Sequence, residues 1–316
     1  MKESYRMKKV IFLILLSSLL VWNCGRGSKE ALVSKEIKKE KTGVTVSILP
    51  QGYFVRRVVG DKYKINVMIP PGHSPATYEP TPREMKAVSE SILYFRIGFI
   101  AFEKAWMDKI ASLNRGMKIV DTSKGVSFIR GNPHHSHEES EAEGLHHHDH
   151  GGIDPHIWLS PSAVKVQVKN ILEGFIETDS ENRAVYEKNY REFIQDIDQL
   201  QAENEAILGP LKGKKFIVYH PAWSYFAREY GLIQFPIEIE GKSPGAADLK
   251  KIIDIAKQED LRVIFVQQQF DSNSAQAVAN EIDGKVIAMD PLAPDWLDNM
   301  KKIALTFKDS LIVKNK

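Results

Sequence analysis

The stretch Glu181–Leu208 constrains the fold more than any other part of the chain. Tyr186, Tyr190, Phe193, Ile197, Leu200 and Ile207 repeat at helical spacing along it, and Gly209-Pro210 stop it. Thr178 and Glu181 stand at capping-box spacing before it. At 1.5 Å per residue this predicts a helix roughly 40 Å long, more than a sheet-covering helix needs. Such a helix serves either as a stiff spine between two halves or as a long element within one domain.

The segments on either side repeat one theme. Before the helix, Val44–Leu49, Lys64–Ile69, Ile92–Ile97 and Met117–Val120 read as short strands. Helical segments alternate with them: Tyr53–Val59 closed by Gly60, a helix opened by Thr81, Pro82 and Glu84, and Phe99–Leu113. Ser160 and Pro161 open a further helix. After the spine, Lys215–Tyr219, Ile233–Ile239, Val263–Gln267 and Val286–Met289 read as extended. Pro221–Tyr230, Ala246–Gln258, Ser274–Ile282 and Trp296–Val313 read as helical. Strands alternating with helices predict α/β architecture, with parallel sheets covered on both faces. No short-period repeat is present.

The N-terminus reads as an export signal. Lys2, Arg6, Lys8 and Lys9 precede an apolar run, Val10–Trp22, that is too short to span a bilayer but suits a signal core. Cys24, the only cysteine, follows at once, where a lipoprotein would be cleaved and acylated. Val21-Trp22-Asn23 departs from the usual Leu-small-small pattern before such a cysteine. With one cysteine there is no internal disulfide and no cysteine-rich zinc site. Residues 25–42 are rich in Lys, Glu, Ser and Gly and read as a tether. The net charge of +2, with cations and anions mixed throughout, gives no nucleic-acid signature.

Metal chemistry is written between residues 132 and 161. Eight of the ten histidines lie there, and imidazole is the commonest protein ligand for borderline divalent ions. His134, His135, His137, His146, His147, His148 and His150 sit among acidic and small residues that cannot bury a core, so 132–150 reads as a loop. It is either a collecting loop or a solubilising one. His156, in Asp154-Pro155-His156-Ile157-Trp158, is held between prolines and suits a fixed site. Three further candidates follow strands: His73 after Ile69, His220 after Tyr219, and Asp290 after Met289. Open α/β sheets bind ligands at the carboxyl ends of their strands. Three imidazoles and a carboxylate suit four-coordinate zinc. Each also has a plainer reading: exposed loop residue for His73, helix cap for His156, core histidine for His220, turn cap for Asp290. Glu240 is a candidate reserve ligand.

The order of these pieces resembles the metal-binding lipoproteins of ABC importers for zinc and manganese, the cluster A-I solute-binding proteins. The matching stretches are Pro71-Gly72…Pro75-x-Thr77-Tyr78-Glu79-Pro80-Thr81-Pro82, the histidine-rich insert, Asp154-Pro155-His156-Ile157-Trp158, Tyr219-His220-Pro221-Ala222-Trp223-Ser224-Tyr225-Phe226 and Asp290-Pro291-Leu292. The resemblance implies two Rossmann-like parallel-sheet lobes joined by a long backbone helix, with the metal in the cleft between them. The expected organisation is a signal peptide (1–23), a lipid-anchored tether (24–43), an N-terminal lobe (44–178), the linking helix (179–209) and a C-terminal lobe (210–316). It further implies capture of Zn2+ and delivery to an ABC permease by a monomer anchored outside the cytoplasm. His220 and the histidine insert point to zinc rather than manganese. The family's first ligand histidine would fall at Ala76. Its place is taken by His73, by a histidine of 134–150, or by a water on a three-ligand site. Other readings are a manganese or iron receptor of the same family, a surface metal buffer or adhesin, and a zinc hydrolase. The hydrolase is disfavoured by the lack of a His-Glu-x-x-His motif.

Overall fold

In the computed structural model, the described residues are 42–130, 152–238, 245–269 and 273–311. The export signal, Cys24 and the tether, the histidines of 134–150, and Glu240 lie outside them.

The first sheet contains β1 (Gly43–Val46), β2 (Lys64–Val67), β3 (Ser91–Arg96) and β4 (Lys118–Asp121). All pairings are parallel, in the order β2-β1-β3-β4. Helices α1 (Leu49–Val59), α2 (Pro82–Ser89) and α3 (Ala101–Leu113) follow the first three strands. Two helices then run between the sheets' sequences, α4 (Pro161–Thr178) and α5 (Arg183–Leu208). The second sheet contains β5 (Lys215–Val218), β6 (Ile233–Pro236), β7 (Val263–Val266) and β8 (Lys285–Ala288). It is also parallel, in the order β6-β5-β7-β8. Its helices are α6 (Ser224–Tyr230), α7 (Ala246–Gln258), α8 (Asn273–Glu281) and the closing α9 (Trp296–Leu311). The two halves therefore share one strand order without sharing a sequence repeat. Among the described residues no helix is long and apolar enough to cross a membrane.

The expected spine is α5. Its 26 residues span about 39 Å, and Tyr186, Phe193, Ile197 and Leu200 are buried along one face. It packs on α4, α1 and α9. The larger apolar core runs from the first sheet past α5 to one face of the second sheet. Phe54 of α1 joins the two ends, meeting Phe193 at 6.1 Å and Trp296 edge-on at 5.3 Å. A smaller core fills the other face of the second sheet, where Ile217, Ile264 and Val266 meet Ala256 of α7 and Val278 of α8.

Local sequence rules account for most boundaries. Thr81 caps α2 with a full capping box: Glu84 N–H donates to Thr81 Oγ1, and Thr81 N–H donates back to Glu84 Oε2 at 2.7 Å. Gly231 ends α6 at φ +68°, which glycine adopts without strain. Three expectations are corrected. Leu49 belongs to α1 rather than to β1, because Pro50 fits the first helical turn. Pro221–Trp223 form a turn, and α6 starts only at Ser224. The Thr178–Glu181 capping box does not form. Thr178 stays in α4 and donates to the Gly174 carbonyl, and a 3-10 turn, Ser180–Asn182, leads into α5. Asp179 organises that junction instead, accepting hydrogen bonds from Lys62, Tyr63, Asn182 and Tyr186.

Candidate metal centre

In both sheets the strand order reverses beside the first strand, so the loops leaving the carboxyl ends there part and open a crevice. A cleft of about 490 Å³ lies along these loops. Ser74–Ala76 line it from the loop after β2, Phe99–Ala101 from the loop after β3, and His220 from the end of β5. Gln267 and Gln269 follow β7, Pro291 and Leu292 follow β8, and 152–156 complete the wall.

His156 and His220 meet in this cleft. Their Nε2 atoms lie 3.4 Å apart and their rings cross at 72°. Each Nδ1 faces a carboxylate. His156 Nδ1 lies 2.8 Å from Asp154 Oδ1, and His220 Nδ1 lies 2.8 Å from Glu238 Oε2. A carboxylate accepts, so Nδ1 carries the proton and Nε2 presents its lone pair. This is how proteins orient imidazoles toward a metal.

The surroundings fix both rings. Asp154 Oδ1 also accepts the His156 backbone N–H at 2.9 Å. Tyr225 of α6 donates to the Asp154 carbonyl and accepts from the Ile129 N–H, clamping both limbs of the segment that carries His156. Arg130 and Ile153 pair as an antiparallel bridge at the same place. The Trp158 indole donates to the Pro291 carbonyl at 2.7 Å, and the Trp296 indole donates to the Trp158 carbonyl at 2.7 Å. On the other side, Gln267 Nε2 donates to the His220 carbonyl, and the Glu238 N–H donates to the Tyr219 carbonyl. Burial holds the His220 pKa below the ordinary histidine value, although its bond to Glu238 works the other way. Burial alone would raise the Asp154 pKa; His156 and the hydrogen bonds from His156 and Ser224 outweigh it and bring it below the ordinary carboxyl value. The first effect favours a neutral imidazole at His220 and the second an ionised carboxylate at Asp154, the forms that suit a metal site.

The other two expected ligands are not gathered with this pair. Among the described residues, no group of three His, Asp or Glu side chains is assembled to hold an ion. His73 is exposed and packs edge-on to Tyr78 at 5.0 Å, while its neighbours Ser74–Ala76 line the cleft. Asp290 Oδ1 accepts the Leu292 N–H at 2.8 Å and lies 3.4 Å from Gln269 Nε2. It lines an adjoining hollow with Pro70–Gly72, while Pro291 and Leu292 reach the main cleft. The sequence reading missed Glu238. Ile237-Glu238-Ile239-Glu240 presents two carboxylates at strand spacing, and nothing local separates them.

The chain is similar to known proteins over most of its length. Residues 44–310 match the family model for the periplasmic component A of zinc-uptake complexes, ZnuA. The high-affinity zinc uptake system protein ZnuA of Bacillus subtilis is 31% identical over 320 residues, covering 96% of this chain and 98% of its own. A crystal structure of ZnuA superposes with a TM-score of 0.77 at 39% identity, covering 86% of this chain and 99% of that one. A ZnuA deletion mutant solved with zinc bound gives the same TM-score and identity, covering 86% of this chain and 98% of its own. With its twin parallel sheets, its long connecting helix and a paired-histidine cleft, the chain belongs to the ZnuA family of zinc-uptake components.

Proposed function

We propose that this chain captures Zn2+ outside the cytoplasm and hands it to an ABC-type permease, with no covalent bond made or broken. The observation that carries this reading is the convergence of His156 and His220 Nε2 atoms with both Nδ1 atoms committed to carboxylates. Imidazole nitrogens favour borderline Zn2+ over the harder Mn2+. Asp290 and His73 complete a four-coordinate site when the loops carrying them move toward the histidine pair. Lobes of 44–178 and 210–316 flank the linking segment 179–209. Cys24 anchors the monomer to the membrane by a lipid, with 25–42 as tether.

The histidines of 134–150 gather ions for the cleft. Arg130 and Ile153, which bracket them in sequence, pair beside it, and Gly152 and Ile153 line it. The test is zinc calorimetry on protein lacking 134–150, alone and with His156→Ala, His220→Ala, Asp290→Ala or His73→Ala. We expect one tight site to survive the deletion and to weaken by about 100-fold or more when either cleft histidine is lost. Loss of tight binding on deletion alone would make the loop the functional part and the protein a buffer.

A further inference from the structure

The histidine pair carries more negative charge than two ligands need for orientation alone. Asp154 and Glu238 side chains are only 11% and 6% exposed. Among the described residues neither pairs with a lysine or arginine, and the ion-pair partner of each is its histidine. A backbone carbonyl would accept the same ring N–H and fix an imidazole equally well. Here two neutral rings are instead backed by two formal negative charges in a largely water-excluded wall. Two Nε2 lone pairs 3.4 Å apart repel each other unless positive charge lies against both. The formal charge of the four side chains matches a divalent cation.

We infer that Glu238, together with Asp154, sets the charge selectivity of the cleft, so that it favours a divalent ion over a monovalent one offered the same two imidazoles. The inference rests on the reading that His156 and His220 hold the zinc. Glu238 is a positioning residue that acts through His220, held in place by its N–H bond to the Tyr219 carbonyl at 2.9 Å. Coulomb energy scales with the charge of the ion, so removing one carboxylate costs a divalent ion twice the logarithm that it costs a monovalent one.

The experiment compares Zn2+ with Ag+, a monovalent ion that two imidazoles can bind, by competition titration of the purified protein. Glu238→Gln keeps the volume and an acceptor for the His220 N–H and removes only charge. We expect zinc affinity to fall about 10- to 100-fold and silver affinity about 3- to 10-fold. Asp154→Asn repeats the measurement on the other histidine, and the unfolding midpoint of each variant checks that it is folded. Equal losses for the two ions would reduce both carboxylates to geometric supports and overturn the inference. So would unchanged zinc binding in Glu238→Gln while His220→Ala abolishes it. Unchanged zinc binding in His220→Ala would instead refute the zinc site itself.

Discussion

Glu103 allows a quantitative test of the physics beneath the cleft. It lies on α3 with 3% exposure, and its carboxylate accepts the Ile97 and Gly98 N–H groups, each at 2.7 Å, and the Ser47 hydroxyl. Those bonds hold the turn that brings Phe99 to the cleft, with Gly98 at φ +85° and Phe99 at φ +48°. Burial pushes the Glu103 pKa from 4.5 up to about 7, against the three donors, which favour the ionised form. A carboxyl raised on folding stabilises most when protonated in both states. Its contribution is therefore complete below about pH 4.5 and is lost as pH rises through about 7. At 1.36 kcal/mol per pH unit the loss is about 3 kcal/mol. The assay is urea unfolding of zinc-free protein, native against Glu103→Gln, at several values between about pH 4.5 and 8. The amide of the variant faces two N–H donors and adds a cost that does not vary with pH. The stability difference, native minus variant, should fall by about 3 kcal/mol across the window. Other titrating groups cancel in that difference. A flat difference would refute the dominance of burial, and a rising one would mean that the three donors hold Glu103 ionised in the folded state.

Other expectations are simpler to measure. Gly98→Ala should destabilise by about 1–2 kcal/mol, because φ is positive there and the new Cβ would meet Ser123 Oγ at 2.9 Å; thermal unfolding reads it. Trp158→Phe leaves the Pro291 carbonyl without its indole donor and should cost about 1–3 kcal/mol in urea unfolding. Zinc affinity should fall on acidification, but because the His220 pKa lies below 6.5, proton competition at that residue should set in only below that pH; calorimetry across the range checks this. Phe307→Ala removes a ring stacked on Phe226 and edge-on to Phe216, and should cost about 3–5 kcal/mol.

Much of the fold is legible because it is local. The β-branched runs, the Thr81–Glu84 box and the glycine stops at Gly60 and Gly231 carry their own instructions. His220 was legible because it follows a strand, and His156 because prolines bound its short segment; the structure brings the two together. What the sequence hid depends on tertiary partners. Thr178 offers a capping side chain, but the chain turns through Asp179, whose four partners come from distant segments as well as neighbours. Glu238 and Glu240 look alike until the end of β6 aims the first at His220. His73 and Ala76 share one proline-rich loop, and sequence spacing does not say which way that loop faces.

The Tyr225 clamp has a consequence for how such chains diversify. By tying the Ile129 N–H to the Asp154 carbonyl, it closes the base of the stretch between them independently of that stretch's length. Loop closure in general costs only about 0.6 kcal/mol more for each doubling of length. Residues gained or lost between these two anchors are therefore expected to leave His156 in place, which makes the position a ready graft point. Different metal-gathering peptides could be exchanged on one unchanged receptor, and their contribution to uptake compared directly.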